Sequence, residues 1–385
     1  MEIVRLKKEH YTQLVSLLNL VFTKQNGREM DFERELPKAF VKDDDAMGKH
    51  LGIFDGEKLV AALGEYPLKA RLLDEELLFY TVGNIATHPA YEGRGYMNAL
   101  VQQAMRDITE KDADVSRLGG ARQRYQRFGY ECCGIAYAFT LTKSNVIRCA
   151  DNFDVADVTF EKIARENTEY LEIASTLQSS GKFFVERKKD NGYFEAYSSM
   201  TAWKNAPYLA KCGDKVLGYL CAQENGGNIA EFFAQSARDA LQMLCAWQQK
   251  VDKDIIFQLQ PHEIDKVRLF ASVCQKMSVV SPSQFKIINW EKVVSVFMKL
   301  KASYMQMPYG ELRVYIENYG GLRLFVNTQG VGCERFDGEC EISLSMLDAA
   351  RYIFGTLPPE TVANANPTAQ AWLPLPLSWN LQDRV

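Results

Sequence analysis

Residues 82–98 read Val-Gly-Asn-Ile-Ala-Thr-His-Pro-Ala-Tyr-Glu-Gly-Arg-Gly-Tyr-Met-Asn. The stretch from Leu77 to Thr87 has strand composition and stops at His88-Pro89. From Met97 onward apolar residues recur at Leu100, Val101, Ala104, Met105 and Ile108, the spacing of an amphipathic helix. A strand therefore feeds, through Glu92-Gly93-Arg94-Gly95, a turn that opens a helix. The first N–H groups of a helix have no carbonyl to pair with and the helix dipole is positive at that end, so such a junction seats a phosphate. Glycine lets the backbone approach that ligand closely. Taken alone, a glycine turn at this place is more often only a turn.

On the N-terminal side, Ile3 and Val4 form a short strand. A helix follows whose apolar face is Tyr11, Leu14, Val15, Leu18, Val21 and Phe22. The runs Gly52-Ile53-Phe54 and Leu59 to Leu63 flank Asp55-Gly56-Glu57-Lys58, a hairpin signal. On the C-terminal side come a short strand, Val115 to Leu118, then Gly119-Gly120-Ala121-Arg122-Gln123-Arg124-Tyr125-Gln126-Arg127-Phe128-Gly129-Tyr130, then a strand-like run, Ile135 to Leu141.

Residues 82–89 together with Gly93-Arg94-Gly95 resemble the acetyl-coenzyme A (acetyl-CoA) motif of the GNAT acetyltransferases. Arg-Tyr-Gln-Arg-Phe-Gly-Tyr at 124–130 narrows the resemblance to the Eis (enhanced intracellular survival) group. It implies an α+β chain: tandem GNAT folds, each a mixed, mostly antiparallel sheet flanked by helices, followed by a sterol-carrier-protein-like α/β domain. It also implies a cofactor site in which Ile85, Ala86 and Thr87 meet the pantetheine arm. Gly93, Arg94, Gly95, Tyr96, Met97 and Asn98 would hold pyrophosphate, and Gly120 and Ala121 would add contacts. Tyr125 is carried over as the general acid and the terminal carboxylate, here on Val385, as the base. A phenol of pKa ~10 can protonate a thiolate of pKa ~8.5. The acceptor expected from the group is a primary amine, on an aminoglycoside, a polyamine or a lysine side chain, and the assembly a homo-oligomer, with hexamers known.

Two positions depart from the pattern. Glu92 stands where GNAT loops usually carry Arg or Gln, and a carboxylate beside pyrophosphate is repulsive unless it turns away or meets a cation such as Arg94. Arg384 adjoins the terminal residue where an acidic neighbour would better attract a cationic acceptor. Asp31, Glu33, Glu35 and Asp383 are candidates to restore negative potential. These departures motivate an alternative reading, a non-catalytic protein that binds CoA or a small apolar ligand on the same scaffold.

Length supports several units. The chain has 385 residues, 47% hydrophobic and 24% charged, enough for two or three domains at ~100–200 residues each. A weak repeat relates residues 50–63 to 208–220, and the divisions expected are 1–147, 148–284 and 285–385. In the middle unit the strand Asn228 to Ala234 enters a helix from about Ser236 through Gln235-Ser236-Ala237-Arg238, without glycine. That unit is therefore expected to be structural. The third opens with a helix from Trp290 to Leu300, continues through a hairpin about Asn318-Tyr319-Gly320-Gly321, and ends in a tail whose Trp379 and Leu381 are expected to dock it.

Composition excludes several classes. With 45 basic against 49 acidic residues, the net charge of −4 lacks the basic surplus of nucleic-acid binders. No run approaches the ~18 apolar residues of a membrane span, and the start lacks a signal-peptide core, so a cytoplasmic location and no membrane partner are expected. The nine cysteines are dispersed without Cys-x-x-Cys and the four histidines lack ligand spacing, so neither a disulfide framework nor a metal site is expected.

Overall fold

The structure, a computed structural model, describes residues 2–150, 155 and 157–385. Its first sheet runs, in spatial order, Val4–Arg5, His50–Asp55, Lys58–Leu72, Glu75–Thr87, Val115–Leu118, Ser283–Ile287 and Glu131–Cys133, with Phe183–Val185 paired to the far half of Lys58–Leu72. Neighbours are antiparallel except Glu75–Thr87 and Val115–Leu118, which are parallel. One face is covered by the helix Tyr11–Asn26, which buries Leu14, Val15, Leu17, Leu18 and Val21 against Leu59, Ala62, Tyr66 and Ala86. The other is covered by the helix Tyr96–Glu110 through Leu100, Val101, Ala104 and Ile108. Both apolar stripes fall where the sequence spacing puts them, because side chains three and four apart share one helix face.

The middle unit repeats this plan. The hairpin Ala206–Cys212 and Lys215–Ala222 stands where His50–Asp55 and Lys58–Leu72 stand in the first, followed by the strand Ile229–Ala234 and the helix Ala237–Val251. The chain then does something its local pattern does not announce. The run read as closing the first unit, Ala136–Leu141, pairs with Ile255–Leu259 and Lys276–Val280 of the middle unit. Reciprocally, Ser283–Ile287 returns to the first sheet and lies between Val115–Leu118 and Glu131–Cys133. The two units exchange strands, so divisions at 147/148 and 284/285 separate neither sheet from the other's chain.

The C-terminal unit has a sheet ordered Gly330–Phe336, Gly320–Asn327, Gly310–Ile316, Ile342–Leu344, the last pair parallel. The helices Trp290–Ala302 and Met346–Phe354 pack with it into a core that also takes in Phe79, Leu77 and Ala70 of the first sheet. This shared core fixes the third unit against the back of the strand that carries residues 82–87. Among the described residues no helix is long and apolar enough to cross a membrane, and all nine cysteines are free.

Candidate active site

The parallel ladder between Glu75–Thr87 and Val115–Leu118 ends at Val82↔Leu118. Past that pair the longer strand continues without a partner on this edge. It also carries a bulge: Ala62 pairs with Ala86 but Gly64 with Gly83, so Asn84 and Ile85 together oppose Leu63. Asn84 is left-handed, φ 53°. Its Nδ2 donates to Tyr66 Oη at 2.7 Å, Tyr66 donates to His50 Nε2 at 2.8 Å, and His50 Nδ1 donates to the Ala46 carbonyl at 3.1 Å. This buried relay requires a neutral imidazole, and burial lowers the His50 pKa to about 4. The unfolded imidazole, at ~6.5, binds a proton that the folded one refuses, so stability is lost as pH falls below ~6.5. Between pH 7 and 5 the loss expected from His50 is about 2 kcal/mol. Urea midpoints at the two pH values measure it, and His50→Gln should flatten that part of the dependence.

Beyond the bulge, Gly93 and Gly95 adopt φ of 79° and 81°, and a Cβ at either would meet no atom within 4 Å. Glycine is needed here for the left-handed backbone, and the space in front of it is open. The first helical bond is Ala99 N–H to Gly95 O, 3.1 Å, so the N–H groups of Tyr96, Met97 and Asn98 have no carbonyl within the helix. They edge a cleft of about 500 Å³ lined also by Ile85, Thr87, Gly93, Arg94, Gly95, Arg124, Tyr125 and Arg127. This donor set suits a pyrophosphate, with three guanidinium groups around it. Glu92 is exposed at the rim, and Arg94 lies over the Tyr91 ring, 4.6 Å from its centroid. Arg127 donates to the Asn98 side chain. Arg124 and Arg127 were not singled out as cofactor residues from sequence, although their spacing around Tyr125 puts both beside it on a short helical turn.

Tyr125 closes the helix Arg122–Tyr125 and is buried. Its ring lies against Gly120, where a Cβ would come 2.7 Å from Tyr125 Cε2 and φ is 137°. Burial raises the Tyr125 pKa, partly countered by Arg124, so the phenol holds its proton through neutral pH. Gly120 thus shapes the seat of the tyrosine and, like Ala121 and the inward-facing Ala86, does not line the cleft.

The chain terminus reaches the same strand from the other unit. Trp372, Leu375, Leu377 and Trp379 are buried, and Trp379 packs on Phe79 with ring centroids 4.9 Å apart. Gln382 Nε2 donates to Ser199 O (3.0 Å) and Met200 O (2.8 Å), and Lys38 Nζ donates to the Gln382 carbonyl at 3.3 Å. Asp383 accepts from Arg187 Nε at 3.0 Å. Arg384 turns away from the terminal carboxylate and donates to Pro282 O at 2.9 Å. Val385 then lies against Gly83, where a Cβ would come 2.7 Å from Val385 O. Gly83→Ala should therefore push the carboxylate aside and lower kcat about 10²-fold, the usual penalty for ~1 Å of misplacement, with CoA affinity unchanged by calorimetry.

Val385 lines a second cleft, of about 480 Å³, with Tyr66, Lys38, Lys49, Lys188, Asp43, Asp45, Asp190 and Glu195 among its walls. Lys38 is half-buried there, and its desolvation lowers its pKa to about 8. The strand Glu75–Thr87 borders both clefts, since Ile85 and Thr87 line the first and Gly83 backs on to Val385 in the second. The acidic residues expected to serve an acceptor are engaged elsewhere. Glu35 is buried between Arg28 and Lys204, Asp383 pairs with Arg187, Asp31 with Arg34, and Glu33 accepts from Tyr11. Asp43, Asp45, Asp190 and Glu195 stand on the walls of this cleft, with Asp45 paired to Lys49 at 2.8 Å.

Residues 2–133 match the acetyltransferase (GNAT) domain model, and the N-terminal unit is a GNAT acetyltransferase domain. None of the curated proteins matches the sequence. Solved structures are similar over nearly the whole chain. A GCN5-related N-acetyltransferase from Anabaena variabilis is 17% identical with a TM-score of 0.66, covering 98% of each chain. Eis1 from Mycobacterium abscessus is 14% identical with a TM-score of 0.65, covering 99% of this chain and 98% of its own. A GCN5-related N-acetyltransferase from Kribbella flavida is 16% identical with a TM-score of 0.62, covering 96% and 93%. At such identities the likeness establishes the fold alone, tandem GNAT-like units followed by the C-terminal unit.

Proposed function

We propose that the protein is an N-acetyltransferase that moves the acetyl group of acetyl-CoA to a primary amine held in the second cleft. The observation that carries this reading is the meeting of three features on one strand: the glycine-loop cleft with Tyr125, the unpaired strand edge at Ile85–Thr87, and the terminal carboxylate against Gly83. When bound, acetyl-CoA supplies an activated acyl carbon. The chain's own residues do the rest. The N–H groups of Tyr96 to Asn98, with Arg94, Arg124 and Arg127, bind the phosphates, and the free edge at Ile85–Thr87 orients the arm. The Val385 carboxylate accepts the proton released as the amine forms its C–N bond, and Tyr125 donates a proton to the sulfur as the C–S bond breaks.

Four acidic side chains and the Val385 carboxylate outnumber three lysines on the cleft's walls, a surplus that supports an amine as acceptor, and the aminoglycoside, polyamine and lysine classes are its candidates. Multimeric assembly, a cytoplasmic setting and a sterol-carrier-like fold for the third unit, without lipid carriage, belong to the same reading; light scattering checks the first. The test is thiol release from acetyl-CoA over a panel of these amines. Tyr125→Phe should lower kcat about 10²-fold with little change in CoA affinity. The exposed Glu92 at the phosphate rim favours the second reading, a CoA-binding protein without turnover. Binding with no thiol release, unaffected by Tyr125→Phe, would establish it.

A further inference from the structure

We propose that the middle unit holds a second ligand site, in the gap of its divided sheet, for a neutral, extended chain bearing secondary amides. The strands Ile229–Ala234 and Ile255–Leu259 meet only at the bridge Asn228↔Ile256, where Ile256 N–H donates to Gly227 O at 2.8 Å. Beyond it each pairs away from the other, the first with Lys215–Ala222 and the second with Ala136–Leu141. Backbone groups alternate sides along a strand, so both strands present N–H and C=O groups to the gap. A cleft of about 360 Å³ opens there, within the size range of small-molecule sites. Its position in this unit matches that of the glycine-loop cleft in the first, between the end of one strand, its parallel neighbour and the start of the following helix.

The chemistry of the two clefts differs. At the start of the helix Ala237–Val251, Ser236 Oγ accepts from Asp239 N–H at 3.0 Å and donates to the Asp239 carboxylate at 2.7 Å. That end is capped and carries an acidic group, so it offers no seat to a phosphate. Of the charged side chains on the walls, Glu263 pairs with Lys266 at 2.8 Å, Glu231 with Arg187, and Lys182 Nζ donates to the Ser303 carbonyl at 2.8 Å, while Asp265 stands exposed at the rim, 3.9 Å from Arg268. Away from that rim, a charged ligand would find no free partner among them. What the walls leave unpaired is neutral: His262 Nδ1, Gln260 Oε1 and Ser378 Oγ. Burial keeps the His262 imidazole neutral at pH 7, its pKa lowered to about 4. Donors and acceptors of both senses, two strand edges and the apolar faces of Phe183 and Phe232 together fit an amide chain. The wall also includes Ser378–Leu381, the residues just ahead of the anchored terminus, so an occupant would touch the strap that ends at the catalytic carboxylate.

The test uses the full chain with its first cleft filled by CoA. Pantetheine and N-acetyl-alanyl-alanine amide are titrated separately by calorimetry. At least one should bind with one-to-one stoichiometry; which of them binds distinguishes a thioester-cofactor arm from a peptide as the source. Ser180→Trp, at the exposed mouth, and Gln260→Trp, on the wall, should each weaken that binding at least tenfold while leaving CoA binding intact. The proposal is overturned if neither probe binds while the first cleft is filled, or if binding survives both substitutions unchanged.

Discussion

Deletion of Val385 alone is expected to lower kcat for acetyl transfer by about 10²–10⁴-fold, the range for losing a positioned acid or base, with CoA affinity unaltered. The shortened chain still ends in a carboxylate, but that group cannot slide into place. Gln382 is held by Ser199, Met200 and Asn205, Asp383 by Arg187, and Arg384 by the Pro282 carbonyl. These anchors fix the register, so the new terminus stops one residue short, ~3.3–3.6 Å for extended chain. Adding a glycine after Val385 tests the same geometry from the other side, because it moves the charge past Gly83 without disturbing any anchor. Thiol release and calorimetric CoA binding on both variants separate base from scaffold. Turnover as fast as the parent in the deleted chain would remove Val385 from the mechanism.

Arg187→Met is expected to destabilise the protein by about 3–5 kcal/mol, the cost of leaving buried charges without their partner. The Arg187 side chain is 4% exposed, Glu231 0% and Asp383 3%. Nη1 donates to Glu231 Oε1 at 2.9 Å, Nε to Asp383 Oδ1 at 3.0 Å, and Tyr219 Oη completes the cluster by donating to Glu231 at 2.6 Å. Burial alone pushes the guanidinium pKa down, but the Asp383 and Glu231 carboxylates hold it well above its ordinary value. Removing it strands two carboxylates in the interior and frees the tail at the same moment. Denaturant unfolding should show the loss of stability, and thiol release in native buffer a loss of activity. Asp383→Asn provides the contrast: Glu231 keeps its arginine, so the stability loss should be the smaller one.

Much of the site was legible in local sequence. The loop at Glu92-Gly93-Arg94-Gly95, the helix after it and Tyr125 lie within about forty residues, and each depends on a rule that acts at short range. These rules are glycine for a left-handed turn, apolar spacing for a helix face, and unpaired N–H groups at its start. The tail's docking was legible too, because Trp379 in a terminal segment has no reason to stay in water. Its destination was not. Nothing in Asp383 or Arg384 tells which guanidinium or carbonyl it will meet; the fold gives Asp383 to Arg187 and Arg384 to the Pro282 carbonyl.

Local sequence was enough for the helices, most strands and the glycine turn at 93–95, since these follow from periodicity and backbone conformation over a few residues. Only the tertiary structure decided where Ala136–Leu141 and Ser283–Ile287 pair, for an alternating strand buries its apolar face equally well in either of two similar sheets. It also decided which carboxylates line the second cleft and which are consumed in ion pairs elsewhere. Above all it decided that Val385 lies against Gly83, a contact between positions 302 residues apart (385 minus 83) that depends on the anchoring of Gln382, Asp383 and Arg384.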